Sequence, residues 1–415
     1  MAEWELAPLC RGETIDAGAE EELFRRLGQA AASAQLQQRW EEADGPAILQ
    51  CERCQQSLKP MGRRAKQLQT ICGSMQLERR VYYCENCGQL QAPLDQRLGV
   101  EQGGMTPGLM RLVCRTALEL PFQQSQQLLT DTLGFAPCSA REVERVAGRH
   151  GQLLEPATPR EALPPAPLRQ PCKQGKYCLA IDGTMIPGLP DSTTHRLCWH
   201  EVKLAVGFDP QEVRLPFYLA GREDAESFGQ RLWQQLQQRG LEQNGFQLIL
   251  GDGAPWIWNL VDLHLPGVPQ LLDFYHAAEH LFATAELLWP AGKGNSWWQR
   301  RLLQLKQGEL TKFFAALQRL SRAHANIDSD NSPKRLLQYF QDNQQRLGYA
   351  RASKQHLPIG SGAVESGARH IVQQRLKQSG MRWSDPGAQA ILNLRTLHRN
   401  GDFEQYWANF AAVGF

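Results

Sequence analysis

Hydrophobic and polar residues change their spacing several times along this chain. Residues 20–43 (EEELFRRLGQAAASAQLQQRWEEA) are mostly helix formers and predict one long helix. From residue 75, MQLERRVYYC alternates with a period of two, which predicts a strand carrying Met75, Leu77, Arg79 and Val81 on one face. Residues 106–150 return to a helical period. There QQSQQLLTDTLG stops at a Gly, and SAREVERVAGRHG opens on Ser139 as an N-cap and stops at another Gly. Two short helices joined by a turn fit a helix-turn-helix and plain helical packing equally well. The stretch EPATPREALPPAPLRQP has no period and reads as an extended, proline-rich linker, so a domain boundary belongs there.

After the linker the pattern is that of strands. YCLAIDGTMIPG (Tyr177–Gly188) predicts a strand broken by Asp-Gly, and LCWHEVKLAVGFD and EVRLPFYLAG predict two more. EDAESFGQRLWQQLQQRG has a helical period and a Gly stop. FQLILGDGA predicts a buried strand, PWIWNLVDLHL a short helix opened by Pro255, and VPQLLDFY a fifth strand. Three strands, helix, strand, helix, strand define an α/β layer architecture. From His276 to about His356 the pattern is helical, interrupted at PAGKGNS and NIDSDNSP. PIGSGAVESGARHIVQQRLKQSGMRW then opens a last helix after a Gly-rich turn, with Val364, Ala368, Ile371, Val372 and Leu376 as its inward stripe.

At 415 residues the chain is expected to form several domains. No apolar run reaches the length of a membrane span, and the opening residues lack the build of a signal peptide, so a cytoplasmic protein with no membrane partner is expected. Its 11 cysteines then read as thiols or metal ligands rather than disulfides. Net charge is only +2, but it is unevenly spread. Residues 1–50 carry ten acidic and four basic side chains. Lys59, Arg63, Arg64, Lys66, Arg79 and Arg80 face Glu78 alone, and Arg369, Arg375, Lys377, Arg382, Arg395 and Arg399 face Asp385 alone. Two basic tracts suit a polyanionic partner touched at two places; each is also compatible with a merely solvated face.

Two motifs carry chemistry. Cys51 and Cys54 form one C-x-x-C pair and Cys84 and Cys87 another, the spacing of a structural four-thiolate zinc ribbon, with Cys72 as an alternative ligand. Asp182 and Asp252 close the two most apolar strands, each followed by Gly. Carboxylates there stand at the C-terminal edge of a sheet, where open α/β sheets bind ligands. Two such acids repel unless a divalent cation joins them, and an all-oxygen set suits magnesium better than zinc. The alternative is a pair of turn-forming Asp-Gly dipeptides. Glu365, at the start of the last helix, is the candidate third acid. His276, Glu279 and His280 spell H-x-x-E-H, which on a helix suggests zinc-protease ligands.

The order of these elements, with Asp182, Asp252 and Glu365, resembles the mutator-like DDE transposases of bacterial insertion sequences, the IS-Kra subgroup above all. RRVYYCENCGQLQAPLD, AIDGTMIPG, GDGAPWIWNL, DFYHAAEHL and the Gly-rich last helix carry the resemblance. It implies a ribonuclease-H-like core with an all-helical insertion, preceded by N-terminal helical and zinc-ribbon modules. The resulting division is 1–50 helical, 51–95 zinc ribbon, 96–154 helical, 155–172 linker, 173–275 core, 276–357 helical insertion and 358–415 catalytic helix and tail. It also implies two magnesium or manganese ions per site held by Asp182, Asp252 and Glu365. Asp273 and His276 match a recurrent Asp-x-x-His at the junction with the insertion, and His276 is expected to act near the scissile phosphate; helix capping is the alternative. The implied partners are double-stranded DNA, both the element's terminal inverted repeats and target DNA, and further copies of the chain in a homodimer or higher oligomer. Arg63, Arg64, Lys66, Arg79, Arg80, Arg369, Arg375 and Lys377 are the expected DNA contacts. Two other readings compete: a non-catalytic zinc-ribbon DNA-binding regulator, and a zinc metalloprotease using His276, Glu279 and His280.

Overall fold

The computed structural model describes residues 16–45, 50–51, 53–100, 103–154, 177–210, 217–241 and 245–413. The expected linker 155–172 and the first residues of the expected third strand lie outside the described residues. The chain divides into two compact units, residues 1–150 with 403–415, and residues 151–402.

In the first unit the long helix α1 runs Ala17–Ala43, capped by the Asp16 side chain on the Ala19 N–H. Strands β1 (Lys59–Thr70) and β2 (Gly73–Cys84) form a long antiparallel hairpin, and β3 (Gln89–Gln91) pairs with the end of β2. Met75, Leu77 and Val81 of β2 are buried, as the alternation predicts. Leu68, Met75, Leu77, Leu94 and Val100 make a small core against which Leu36 and Trp40 of α1 pack. Glu41 and Asp44, at the end of α1, accept the Glu78 and Arg80 backbone N–H groups, so the helix satisfies donors that the hairpin leaves open. Short α2 (Pro93–Arg97) precedes α3 (Pro107–Ala117), α4 (Phe122–Leu133) and α5 (Ala140–Leu153). Gly134 ends α4 at φ 74°, and Ser139 and Glu142 bond reciprocally at the start of α5 as a capping box.

The second unit is built on one five-stranded sheet. Its strands are β4 (Tyr177–Pro190), β5 (Leu197–Phe208), β6 (Phe217–Gly221), β7 (Phe246–Gly251) and β8 (Gln270–Leu272), in the order β6-β5-β4-β7-β8. The β4, β5 and β6 strands run antiparallel to one another, while β7 and β8 join in parallel through α6 (Ala225–Gln238) and α7 (Pro255–His264). Contrary to the sequence reading, Asp182-Gly183 does not break a strand. β4 runs through it to Pro190, because β5 pairs with it on one side all the way, whereas pairing with β7 stops at Ile181.

A run of helices follows: α8 (Phe274–Leu288), α9 (Asn295–Gln307), α10 (Leu310–Ala323), α11 (Pro333–Asp342) and α12 (Tyr349–Lys354). Helix α13 is α-helical over Gly362–Gly367, π-helical over Ala368–Gln373 and α-helical again over Gln374–Leu376. All five residues of its predicted stripe are buried. Gly367 permits the close packing, since a Cβ there would lie 2.7 Å from Val206 Cγ2 of β5. The π turn withdraws carbonyls from their normal partners, and Arg395 of α14 (Asp385–Arg399) supplies donors to those of Ile371 (2.7 Å) and His370. Helix α14 also covers the β6 edge, with α15 (Phe403–Val413) following it in the chain. Just beyond α14, Asn400 accepts the Tyr218 N–H at 2.8 Å and donates to its carbonyl at 2.9 Å; from α14 itself, Gln389 accepts the Arg222 N–H at 2.6 Å. Side-chain amides thus occupy the groups that a further strand would take.

Candidate active site and metal centre

The parallel pairings of three strands end in register, and an Asp follows each. Ile181 of β4 pairs with Gly251 of β7, which pairs with Leu272 of β8. The next residues are Asp182, Asp252 and Asp273, on strands whose neighbours lie about 4.8 Å apart. Asp252 sits in a tight turn, accepting the Ala254 N–H at 2.8 Å. Gly253 has φ 102° there, and a Cβ on it would lie 2.9 Å from the Tyr339 ring, so glycine is required twice over. Tyr339 of α11 donates its hydroxyl to the Asp252 carbonyl at 2.8 Å, fixing this turn from the helical run. Burial, and next the charge of Asp252, push the Asp182 carboxyl up to about 6. The Gly183 N–H, 2.7 Å from its Oδ1, and His276 pull the other way. A carboxyl pair in this state is suited to a divalent cation, which removes the repulsion.

Asp273 has a different task. It is 1% exposed and caps α8: its Oδ1 accepts the His276 N–H at 2.7 Å and its Oδ2 accepts the N–H of Ser361. Its own N–H donates to the Gly251 carbonyl at 2.8 Å, and the Phe274 N–H to that of Ile359 at 2.9 Å. With both oxygens engaged, this acid joins the end of β7, the start of α8 and the Gly-rich turn that launches α13. The capping alternative is therefore the observed one for Asp273. His276 is brought close enough to Asp182 for their charges to interact.

Glu365 is exposed on α13, the helix that packs on β4 and β5. The charged groups that weigh most on Asp182 are Asp252, His276 and Asp273. Just past the end of the same helix, Lys377 donates to Thr184 Oγ1 at 2.9 Å and feels the charge of Asp182. A cation thus stands two residues along β4 from Asp182, on the same strand face. His280 stacks against Tyr339, ring centroids 4.1 Å apart, and its ring is 6.4 Å from that of His276. Among the described residues neither the three acids nor His276, Glu279 and His280 converge as a ready-made metal cage.

Four cysteines do. Sulfurs of Cys51, Cys54, Cys84 and Cys87 lie within 4.8 Å of one another, with Cys51 to Cys87 at 3.9 Å and Cys54 to Cys84 at 3.5 Å. A tetrahedral zinc thiolate site with 2.3 Å bonds requires sulfurs about 3.8 Å apart. The donor set and spacing fit zinc. In the metal-free protein, hydrogen bonding with Cys54 and burial push the Cys87 thiol up to about 12, while the Asn86 side chain helps to draw Cys54 down to about 6. Cys72 is no ligand: it sits in the turn between Thr70 and Gly73, at the far end of the hairpin.

The expected DNA contacts divide by environment. Arg63, Arg64, Arg369 and Lys377 are exposed. Lys66 and Arg79 both pair with Asp95, at 2.9 and 3.0 Å, and Arg80 donates to the Asp44 carbonyl. Arg375 is a correction to the sequence reading: it is 1% exposed, with its guanidinium 5.0 Å from the Trp383 ring centre. It lies on the inward stripe, four residues after Ile371.

No protein-family model matches the chain, and no curated protein does. Among solved structures it is similar to a Drosophila P element transposase strand transfer complex at 10% identity and a TM-score of 0.23, over 72% of this chain and 80% of that chain. Among the described residues no helix is long and apolar enough to cross a membrane.

Proposed function

We propose that the chain is a DNA transposase, a mutator-like DDE enzyme that cleaves the ends of its element and joins them to target DNA. The single observation that carries this reading is the register of β4 and β7, which sets Asp182 and Asp252 side by side at the edge of the sheet, with Asp182 held up to about 6 by burial and by its neighbour. The sheet order β6-β5-β4-β7-β8, three strands antiparallel and two joined in parallel, supports the ribonuclease-H-like core that the resemblance implies. The α8–α12 run takes the part of the helical insertion, and the four-cysteine hairpin that of the zinc ribbon.

Asp182 and Asp252 would hold magnesium or manganese, with Glu365 as the third acid. Divalent ions in such a site polarise phosphate oxygens and make bound water a nucleophile near neutral pH. The chain's own residues then have positioning and electrostatic work. Tyr339 and Gly253 keep the Asp252 turn rigid, Asp273 holds the His276 N–H and the α13 turn, and Lys377 offers a positive charge beside the acids where a phosphate arrives. No protein nucleophile is required, because water and then the freed 3′-hydroxyl attack phosphorus.

The test is cleavage of duplexes made from the DNA flanking the chain's own gene, in magnesium or manganese. Asp182→Asn, Asp252→Asn and Glu365→Gln should each abolish cleavage and leave binding within a few-fold. Wild-type binding without divalent-dependent cleavage would instead mark a zinc-ribbon regulator, and normal cleavage by Glu365→Gln would remove that residue from the site.

A further inference from the structure

The inward face of an amphipathic helix is expected to be apolar, and α9 breaks this rule twice. Its buried positions are Arg301, Gln304 and Leu305. Arg301 is 7% exposed and Gln304 8%. Arg301 Nε and Gln304 Oε1 are both sealed from solvent without a hydrogen-bond partner. By contrast, the buried Arg395 of α14 donates to two carbonyls. Arg301 has only the Trp297 ring, whose centre is 5.9 Å from its guanidinium carbon. The charged groups that weigh on it are Arg300 of its own helix and Arg319 of α10, both exposed and both of like sign. A guanidinium whose Nε is sealed without a partner while its outer nitrogens stand beside two more cations is costly until an anion joins it.

We propose that the α9–α10 seam is an oxyanion site that takes a phosphate group, with the outer nitrogens of the half-sealed Arg301 as its inner ligand and Arg300 and Arg319 at its mouth. Three clustered guanidiniums suit an anion of more than one charge, and their planar donor forks match phosphate oxygens. Gln304 completes the site by turning its terminal amide, which presents its NH2 where the carbonyl oxygen now lacks a donor. The phosphate is either free in solution or part of a DNA backbone; the second source rests on the function proposed above.

The experiment uses the full chain. Thermal unfolding is followed in sodium phosphate and in sodium chloride at matched ionic strength, for wild type, Arg301→Met and Arg319→Ala. Phosphate should raise the wild-type midpoint saturably, Arg301→Met should not respond, and Arg319→Ala should need several-fold more phosphate for the same rise. Without phosphate, Arg301→Met should melt at or above wild type, because it removes an uncompensated buried charge. A lower phosphate-free midpoint for Arg301→Met, or equal responses of wild type to phosphate and chloride, overturns the site. In a second arm, affinity for a duplex is measured against salt. A DNA phosphate in the seam makes the slope of log affinity on log salt shallower by about 0.9 in Arg301→Met. An unchanged slope with the phosphate response intact assigns the site to free phosphate. If the wild type binds no DNA, the transposase reading fails while the phosphate arm still decides the site.

Discussion

Removing the acceptor that joins Asp273 to Ser361 should loosen the segment carrying Glu365 without touching any residue assigned to metal. Asp273 is 1% exposed and Ser361 8%, so neither partner has water to fall back on. In Asp273→Ala the His276 N–H loses its cap, costing about 1 kcal/mol, and the buried Ser361 N–H is left unsatisfied at about 1–3 kcal/mol. The sum, about 2–4 kcal/mol, corresponds to a fall of roughly 5–15 °C in the melting midpoint of a unit of this size. Asp273→Asn is more discriminating. It keeps an oxygen for His276 but turns an NH2 toward the Ser361 N–H, at a cost of about 2 kcal/mol. Ser361→Pro removes only the donor, and the Ser361 φ of −85° is near the value proline requires. With no N–H opposite, the Asn costs less, so the double variant should be more stable than the sum of the singles by about 1–2 kcal/mol. Unfolding midpoints of the four proteins measure this coupling, and hydrogen exchange over residues 358–376 locates it. Strict additivity of the two substitutions would refute the link. So would unchanged exchange in Asp273→Asn.

Three further outcomes are expected. Asp182 has a folded value of about 6 against roughly 4 when unfolded, so as pH rises the unfolded chain releases its proton first and folding loses stability between about pH 4 and 6. In divalent-free buffer, the unfolding free energy of the wild type from urea titrations should fall over that window by up to about 3 kcal/mol relative to Asp182→Asn, and parallel curves would contradict it. Zinc should be present at about one ion per chain and be lost in Cys84→Ser with local unfolding of β1–β3, whereas His276→Ala should keep it; metal analysis and circular dichroism report both. Asn400→Ala should cost about 1–3 kcal/mol by uncovering the β6 edge, and light scattering should show greater self-association, an effect absent if the edge is covered by other means.

Much of this arrangement was legible from residue types because the responsible interactions are local. The four cysteines announce their cluster by spacing alone, and the period-two run of Met75, Leu77 and Val81 gives the ribbon strand its buried face. Asp182 and Asp252 stand out because a charge directly after an apolar strand is rarely without purpose. What escaped depends on partners distant in the chain. Whether β4 ends at Asp182 depends on how far β5 and β7 each pair with it. That Asp273 is occupied by a backbone N–H 88 residues away has no local signal. The π turn in α13 is likewise unreadable without Arg395, which fills the carbonyls it frees. Arg375 is the exception: its place on the inward stripe was visible beforehand, and the charge count obscured it.

That point bears on how the chain should hold DNA. Taken at face value, the eight cations expected to meet DNA imply a salt slope near −7 on a duplex, at about −0.9 for each phosphate neutralised. The structure assigns four of the eight to other work. Asp95 neutralises Lys66 and Arg79 together, Arg80 is drawn to the end of α1, and Arg375 is in the core. An arginine already bonded to a carboxylate releases no counterion when a phosphate approaches, and one at 1% exposure cannot meet a phosphate at all. The slope attributable to these tracts is therefore about −3.6, from Arg63, Arg64, Arg369 and Lys377, and about −4.5 if Arg80, whose partner is an uncharged carbonyl, also releases its counterion. Alanine at each of those four should make the measured slope shallower by about 0.9. Alanine at Arg79 or Arg375 should leave the slope alone and lower the unfolding midpoint instead, Arg375 by the larger amount because a packed side chain is lost with its charge. Binding isotherms at four or more salt concentrations separate the two groups. A change of slope for Arg375→Ala in a protein that still melts like the wild type would mean that the α13 helix reorganises to expose it on DNA.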